Sequence, residues 1–203
     1  MTLYPIEGQK IHLRSPILDD LDTMAYWLHP DHEWHKLDGP YFPKTPADKI
    51  PETIERLRKR IEQLNLTTMQ FRLVIVDNST NKMLGMVTSY WLSQETNWLA
   101  QGIVLYDPDT WGKGIGYEAF GLWTQYLFDQ EPKFVCLGLR TWSGNIGMMK
   151  LAEKLGYMLE ATFRKAHIVN GEYYDGIGYG VLREEWETLY PNGFQSHLNT
   201  IKT

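Results

Sequence analysis

The feature that most constrains this chain is a glycine-rich segment in its second half, Trp111-Gly112-Lys113-Gly114-Ile115-Gly116. An apolar run at 102–106 precedes the segment, and a helical pattern of apolar residues follows it at 117–127. A strand that is followed by a glycine loop and then by the first turn of a helix directs backbone N–H groups toward an anion. The glycines let the backbone approach closely, and the helix dipole favours negative charge. The segment therefore predicts a ligand that carries a diphosphate.

The composition is that of an ordinary globular protein, and the length of 203 residues favours one domain over two. The formal net charge is −5 and there is no basic tract, which argues against nucleic acid as a partner. A single cysteine, Cys136, excludes a disulfide framework and a cysteine zinc cluster. Because the N-terminus lacks a signal-peptide pattern and no segment is long enough to span a bilayer, we expect a cytoplasmic protein with no membrane partner.

Hydrophobic periodicity indicates hairpin-connected strands alternating with helices. Two strands flank a polar turn within residues 71–91, and another pair flanks Asn170-Gly171, the dipeptide most typical of a two-residue hairpin turn. Apolar residues at helical spacing predict helices near 21–28, 54–64, 117–130 and 146–155. We expect one domain over residues 1–190 and a loosely held tail over residues 191–203.

The segment 31–43 is rich in His, Trp, Gly and Pro and has the composition of a functional loop. His29, His32 and His35 recur at regular spacing around it, which suggests a metal site. However, Pro30 prevents one continuous helix from presenting all three rings on a single face. We therefore expect no metal, and a polar and aromatic loop on the substrate side.

The glycine segment fits neither of two common phosphate-binding motifs. A Walker loop needs G-x-x-x-x-G-K-[ST], which the chain does not contain. A dinucleotide fingerprint needs a third glycine, which would fall at Tyr117, and it belongs near the start of a βαβ unit rather than after hairpins.

The segment resembles instead the pyrophosphate loop of the GNAT superfamily of acetyl-CoA-dependent N-acetyltransferases, Q/R-x-x-G-x-G/A, although Trp111 stands where Gln or Arg is usual. W-G-K-G followed by Glu-Ala is similar to the Rim-type branch, which includes ribosomal-protein N-terminal acetyltransferases. The segment from Asn145 to Tyr157, with Glu153 and Lys154, resembles the family's N-…-E-K-L-G-F helix. Together with an opening strand and a closing hairpin, these motifs cover most of residues 10–187.

The resemblance implies an α+β fold with a single mixed, mostly antiparallel and twisted sheet of about seven strands, flanked by helices and splayed at its central strands. It implies an enzyme that transfers an acetyl group from acetyl-CoA to a primary amine by direct attack on the thioester. The acceptor can be a protein N-terminus or a small amine such as a polyamine, an aminoglycoside, an amino sugar or an amino acid. No metal is implied, and the oligomeric state stays open, a homodimer included.

For the co-substrate, the resemblance implies that strand backbone pairs with the pantetheine arm, with the N–H of Val104 or Leu105 at the thioester oxyanion. The amides of the glycine loop hold the pyrophosphate, and the Asn145 side chain holds the end of the pantetheine. The implied binding residues are Ile103, Val104, Leu105, Tyr106, Gly112, Lys113, Gly114, Ile115, Gly116, Tyr117 and Asn145.

The acid and base of the reaction are where this sequence departs from the family patterns. Gln101 stands where Rim-type proteins often have Glu, Met148 replaces a hydroxyl side chain, and Ala152 replaces a tyrosine; none of the three can exchange a proton at neutral pH. Two hypotheses follow. In the first, the base is recruited from elsewhere, with candidates Glu172, Asp175, His35 and His167, or is a water chain. In the second, the protein is a non-catalytic acyl-CoA binder.

Aromatic residues are predicted to line the acceptor site. Trp34, His35 and Tyr41 come from the 31–43 loop, and Tyr174 comes from the closing hairpin. Aromatic faces suit a cationic amine, although core packing explains about half of such residues equally well.

Overall fold

A computed structural model describes residues 5–201 as one mixed sheet of eight strands with helices on both faces. The first four residues of the predicted domain and the last two of the predicted tail lie outside the described residues. The strands are β1 (Ile6–Glu7), β2 (Ile11–Arg14), β3 (Arg72–Asp77), β4 (Met83–Ser93), β5 (Trp98–Leu105), β6 (Cys136–Trp142), β7 (Met158–Val169) and β8 (Glu172–Leu182). Their order in the sheet is β1-β2-β3-β4-β5-β6-β8-β7.

Six α-helices flank the sheet, and short 3₁₀ turns lead into several of them. The helices are α1 (Leu21–Trp27), α2 (Ile50–Glu62), α3 (Ile115–Gln130), α4 (Ile146–Lys154), α5 (Arg183–Leu189) and α6 (Phe194–Thr200). Helix α3 begins directly after the glycine loop and ends before Pro132, as its sequence predicts, because the residue before a proline disfavours helical geometry. Helix α4 ends before Gly156, which adopts a φ of +87°.

The middle of the sheet is buried on both faces and separates two hydrophobic clusters, whereas β7 at the edge is mostly exposed. On strand β3, Leu73 and Ile75 face one cluster with α3, whereas Val74 and Val76 face the other with α1. This division follows from the period of two in a β-strand. Helix α2 has no fully buried residue and covers the second cluster with its apolar stripe, Ile54, Leu57 and Ile61.

The sheet opens at its centre, where its one parallel pair lies. Strands β5 and β6 pair only from Leu99 to Gln101, opposite residues 137–139, while β5 continues to Leu105. Every other neighbouring pair is antiparallel. The last residues of β5 therefore have a partner strand on one side only, and the splayed, mostly antiparallel sheet expected from the sequence is confirmed.

The sheet has eight strands within residues 5–201, in agreement with the expected number of about seven. The shortest of them, Ile6–Glu7, is an edge strand that pairs with β2. The segment predicted as a loosely held tail instead contains α6, whose Phe194 and Leu198 are buried in the main cluster. These two residues lie four apart and so share one helix face, and that face packs onto α3.

Candidate active site

A cavity of about 430 Å³ lies in the opening between β5 and α4. The end of β5, the glycine loop and the first turns of α3 and α4 form its walls. Its lining residues are Trp34, Leu37, Asp38, Ile103, Val104, Leu105, Trp111, Gly112, Gly114, Gly116, Tyr117, Asn145, Gly147, Met148, Lys150, Leu151 and Lys154. Most of the residues predicted from the sequence to bind the co-substrate therefore share one cavity.

The glycine loop exposes backbone donors to this cavity. Gly112 and Gly114 have φ values of +70° and +83°, which side-chain-bearing residues rarely adopt. Helix α3 follows, and its first N–H groups have no partner within the helix. Lys154 of the family-like helix lines the same cavity, as does Lys150, which sequence reasoning did not single out, and both add positive charge. Donors and cations together suit a diphosphate.

The backbone of β5 shows which amides face the open side. Tyr106 N–H donates to the Leu84 carbonyl of β4 at 3.0 Å. Directly opposed residues of an antiparallel ladder alternate between pairs that exchange hydrogen bonds and pairs that do not. The register is regular here, so Val104, two residues before Tyr106, also points its N–H at β4. Leu105 N–H and Ile103 N–H point away from β4 into the opening. The geometry thus favours Leu105 over Val104 as the donor to a thioester oxygen.

Three residues predicted to contact the co-substrate do not line the cavity. The Tyr106 ring is buried on the opposite side, stacked on Trp27 at 5.9 Å, and burial raises its pKa. Ile115 is buried in the main cluster, because the first residue of α3 faces the core. Lys113 is exposed, and its carbonyl accepts a hydrogen bond from Lys10 Nζ at 3.1 Å.

Asn145 lines the cavity, but both ends of its side chain already bond to protein. Its Oδ1 caps α4 by accepting from Met148 N–H at 3.0 Å, and its Nδ2 donates to the Leu37 carbonyl at 3.1 Å. The Trp142 indole Nε1 donates to the same carbonyl at 3.0 Å. Asn145 therefore links α4 to the 31–43 loop, and the contact between its side chain and pantetheine stays a prediction.

This attachment yields a test with a matched control. Trp142→Phe replaces the indole by a smaller phenyl ring and removes the donor to Leu37. Beyond the cost of the smaller ring, we expect a loss of about 1 kcal/mol of stability and faster proteolysis within residues 31–43. Trp98→Phe is the control, since Trp98 Nε1 is buried with no hydrogen-bond partner among the residues described. Denaturant unfolding measures both; equal losses for the two variants would contradict the attachment.

A second cavity, of about 670 Å³, lies between the 31–43 loop and the sheet. Its wall includes three of the predicted acceptor residues, Trp34, His35 and Tyr41, and Tyr41 stacks on His167 with 3.6 Å between ring centroids. Six residues line both cavities: Trp34, Leu37, Asp38, Ile103, Asn145 and Met148. The two cavities therefore meet beside the unpaired part of β5.

Asp38 is a functional candidate that sequence reasoning missed. It is the carboxylate that lines both cavities. Its side chain is exposed on the side of the cavities, and the protein around it reduces its hydration enough to raise its pKa. In residues 5–201 no basic group pairs with it. A carboxylate in this state can accept a proton. The sequence signal that could have identified Asp38 is its position in the 31–43 segment, whose composition already indicated a functional loop.

His35 is a second group able to take a proton. It is 7% exposed and stacks on Trp34, with 3.7 Å between ring centroids. Burial and then the nearby Lys44 lower its pKa, so the ring is neutral at pH 7. Its Nε2 has no hydrogen-bond partner in the described part of the chain.

The other residues predicted to take part in catalysis do not line both cavities. His167 lines the second cavity only. The Gln101 side chain lies in the core, where it donates to the Tyr157 hydroxyl and accepts from Thr124. Glu172 is exposed beside the hairpin turn and lines neither cavity. The Asp175 carboxylate accepts from Lys165 N–H at 2.7 Å.

Tyr174, which was predicted to line the acceptor site, lines neither cavity; its ring packs against Trp142 at 4.8 Å, behind the cavity wall. Ala152 is fully buried in the core and, as expected, has no group that can donate a proton.

The three histidines of the possible metal pattern have separate contacts. His29 lies beside Asp31, His32 bonds to the Tyr26 carbonyl, and His35 faces the second cavity. Between residues 5 and 201 there is no group of three or more potential metal ligands. Over the same range, every helix is too short or too polar to cross a membrane.

Comparison with known proteins identifies the class. The family described as Acetyltransferase (GNAT) domain matches residues 10–158, so the chain belongs to the GNAT acetyltransferases. It is an N-acetyltransferase by class.

Individual relatives agree with this assignment. The SPbeta prophage-derived N-acetyltransferase YokL of Bacillus subtilis (strain 168), itself uncharacterized, is 29% identical over 180 residues, or 89% of this chain and 94% of YokL. A GNAT-family acetyltransferase from Bacillus anthracis has the same fold, with a TM-score of 0.69, 18% identity and coverage of 89% and 99% of the two chains. A protein assigned as a ribosomal-protein-serine acetyltransferase from Vibrio cholerae gives a TM-score of 0.64, 17% identity and coverage of 88% and 97%.

Proposed function

We propose that this enzyme transfers an acetyl group from acetyl-CoA to a primary amine, with Asp38 as the proton acceptor. The observation that carries the proposal is the meeting of the two cavities at Asp38, beside the unpaired end of β5. One cavity has the donors and cations that a diphosphate requires, and the other has the aromatic walls that suit an amine.

The chain's own groups have distinct functions in this proposal. The amides of residues 112–117, with Lys150 and Lys154, bind the pyrophosphate. The open edge of β5 pairs with the pantetheine arm, and Leu105 N–H donates to the thioester carbonyl oxygen. Acetyl-CoA, when bound, supplies the acetyl group already activated as a thioester. Asp38 accepts the proton that the amine loses as the N–C bond forms and the C–S bond breaks, and CoA leaves as the thiolate.

The class of acceptor amine rests on a sequence motif and on one structural relative. The Rim-type motif and the likeness to the Vibrio cholerae ribosomal-protein-serine acetyltransferase support a protein N-terminus among the acceptors. The non-catalytic alternative rests on the substitutions at Gln101 and Met148. Asp38 weakens that alternative, because it provides a carboxylate at the junction that neither of those positions supplies.

Two measurements test the proposal. Calorimetry with CoA measures binding, and an amine panel with acetyl-CoA and a free-thiol reagent measures transfer. Gly112→Ala is expected to weaken CoA binding about tenfold, because it adds a side chain at positive φ inside the cavity. Gly171→Ala is the matched control, since Gly171 has a similar φ of +83° and equally open surroundings in the hairpin turn. CoA binding without thiol release from any amine would contradict catalysis, and equal binding by both variants would contradict the site.

A further inference from the structure

The charge of the second cavity points to a narrower acceptor class than its aromatic walls do. Asp38 is the one acidic residue that lines it, whereas Lys44 and Arg140 are both basic. A polyamine or an aminoglycoside carries several positive charges and needs several carboxylates nearby. Such a ligand would meet two cations here for a single anion, so its charge does not match the cavity.

Arg140 has surroundings that leave its guanidinium available for a ligand. Its Cζ lies 5.6 Å from the centroid of the Trp98 ring and 5.7 Å from that of Phe163. Directly opposite on β8 stands Gly178, where an added Cβ would collide with an Arg140 nitrogen. Gly178 thus provides the room that the guanidinium occupies. Aromatic contact at the faces of a guanidinium leaves its edge donors free.

No anion of the protein meets those donors. In the described range, Arg140 forms no ion pair and its side chain makes no hydrogen bond. An arginine fork binds a carboxylate or a phosphate through two parallel hydrogen bonds. An anionic group of a ligand in this cavity would supply the missing partner.

Asp38 and Arg140 line the same cavity, together with Tyr41 and Tyr90. Burial raises the pKa of Tyr41, and the charge of Asp38 adds to that shift. Burial also raises the pKa of Tyr90, and the positive charge of Arg140 opposes that shift. The carboxylate and the guanidinium thus each act on a tyrosine of this cavity.

We infer that the acceptor is an amine that also carries an anionic group, a carboxylate or a phosphate. This inference rests on the proposed function. The amine lies at Asp38, where the two cavities meet, and the anionic group lies in the second cavity against the edge donors of Arg140.

The test compares acceptors that differ only in the anionic group. An α-amino acid is paired with its carboxamide, glucosamine 6-phosphate is paired with glucosamine, and spermidine serves as the polycation. With the full chain and acetyl-CoA, the anionic member of at least one pair is expected to have a kcat/KM at least tenfold above its partner and above spermidine. The pair that responds distinguishes a carboxylate from a phosphate.

Variants of Arg140 separate this inference from the proposed function. Arg140→Gln is expected to raise KM for the preferred anionic acceptor at least tenfold and to leave KM for its neutral partner within about threefold. Arg140→Glu is expected to reverse the preference toward spermidine. Lys133→Gln, which removes an exposed charge outside the cavity, is the control and should change neither.

Each outcome is decisive. Equal use of both members of every pair, or an equal loss for anionic and neutral acceptors in Arg140→Gln, overturns the anionic subsite while acetyl transfer stands. Absence of transfer to every amine, with CoA still bound, overturns the proposed function instead.

Discussion

Asp38→Asn is expected to lower kcat/KM for acetyl transfer by about 10²- to 10⁴-fold, the range typical of a lost general base. Asn has nearly the same shape as Asp but cannot accept a proton at neutral pH. Asp48→Asn is the matched control, because Asp48 is exposed and lines neither cavity. Steady-state kinetics with the best acceptor of the panel measure both variants.

The pH dependence of the same pair tests the assignment of the base. Because the pKa of Asp38 is raised by partial burial, kcat/KM of the wild type should fall on the acidic side at a pH above the ordinary aspartate range. This limb should be absent from the residual activity of Asp38→Asn. If the limb persists there but disappears in His35→Gln, the imidazole is the base and the assignment to Asp38 is wrong.

Stability separates lost catalysis from lost folding. A carboxyl whose pKa is higher in the folded than in the unfolded protein destabilises the fold. This penalty is full above the folded pKa, decreases as the pH falls below it, and is gone below the unfolded pKa. At pH 7 the penalty is present in the wild type, and Asn removes it. Thermal unfolding should therefore show Asp38→Asn to be at least as stable as the wild type, so a lower Tm would point to a structural defect.

The contrast between the glycine loop and Asp38 shows which parts of the site the sequence could predict. Gly112 and Gly114 need positive φ, a requirement that is local and visible in the residue type. Asp38 reaches the site only because the Leu37 carbonyl is held by Trp142 and Asn145, more than 100 residues away. No local pattern contains that pairing.

The other differences between the predicted and the observed site come from the directions in which the backbone and side-chain groups of β5 point. Periodicity predicted that 102–106 is a strand, but it could not show which amides bond to β4 and which face the opening. That depends on the register of Leu105 opposite Gly85. The same register directs the Tyr106 ring away from the cavity and the Gln101 amide into the core.

The largest loss of stability is expected from a substitution in α6, within the segment that the sequence predicted to be a loosely held tail. Phe194→Ala is expected to lower the free energy of unfolding by about 3–5 kcal/mol, the usual cost of deleting a buried phenyl ring. Phe194 is fully buried, and its ring lies 5.6 Å from Trp186 and 4.9 Å from Tyr190, centroid to centroid. Urea unfolding measures the change, with the exposed Ser196→Ala on the same helix as control. A loss below about 1 kcal/mol would indicate a frayed tail.

A substitution at Gly121 on α3 can be combined with Phe194→Ala in a double-mutant cycle. An added Cβ at Gly121 would overlap the Phe194 ring, so Gly121→Ala alone should destabilise the protein by about 1–3 kcal/mol through overpacking. Once Phe194 is Ala the overlap is gone, and the same change should stabilise α3, because Ala is a better helix former than Gly by about 1 kcal/mol. The sign of Gly121→Ala should thus reverse between the two backgrounds, which additive surface effects cannot produce.

Phe194→Ala is also expected to affect the active site, because α6 supports the first turn of α3. The Tyr117 hydroxyl lies 3.0 Å from His197 Nε2, and the Tyr117 ring lies 5.4 Å from that of Phe194. Tyr117 lines the co-substrate cavity directly after the glycine loop. Removing the Phe194 ring frees that turn to move, so Phe194→Ala should weaken CoA binding even at temperatures where the variant stays folded. Unchanged CoA affinity in folded Phe194→Ala would mean that the loop glycines hold the turn without help from α6.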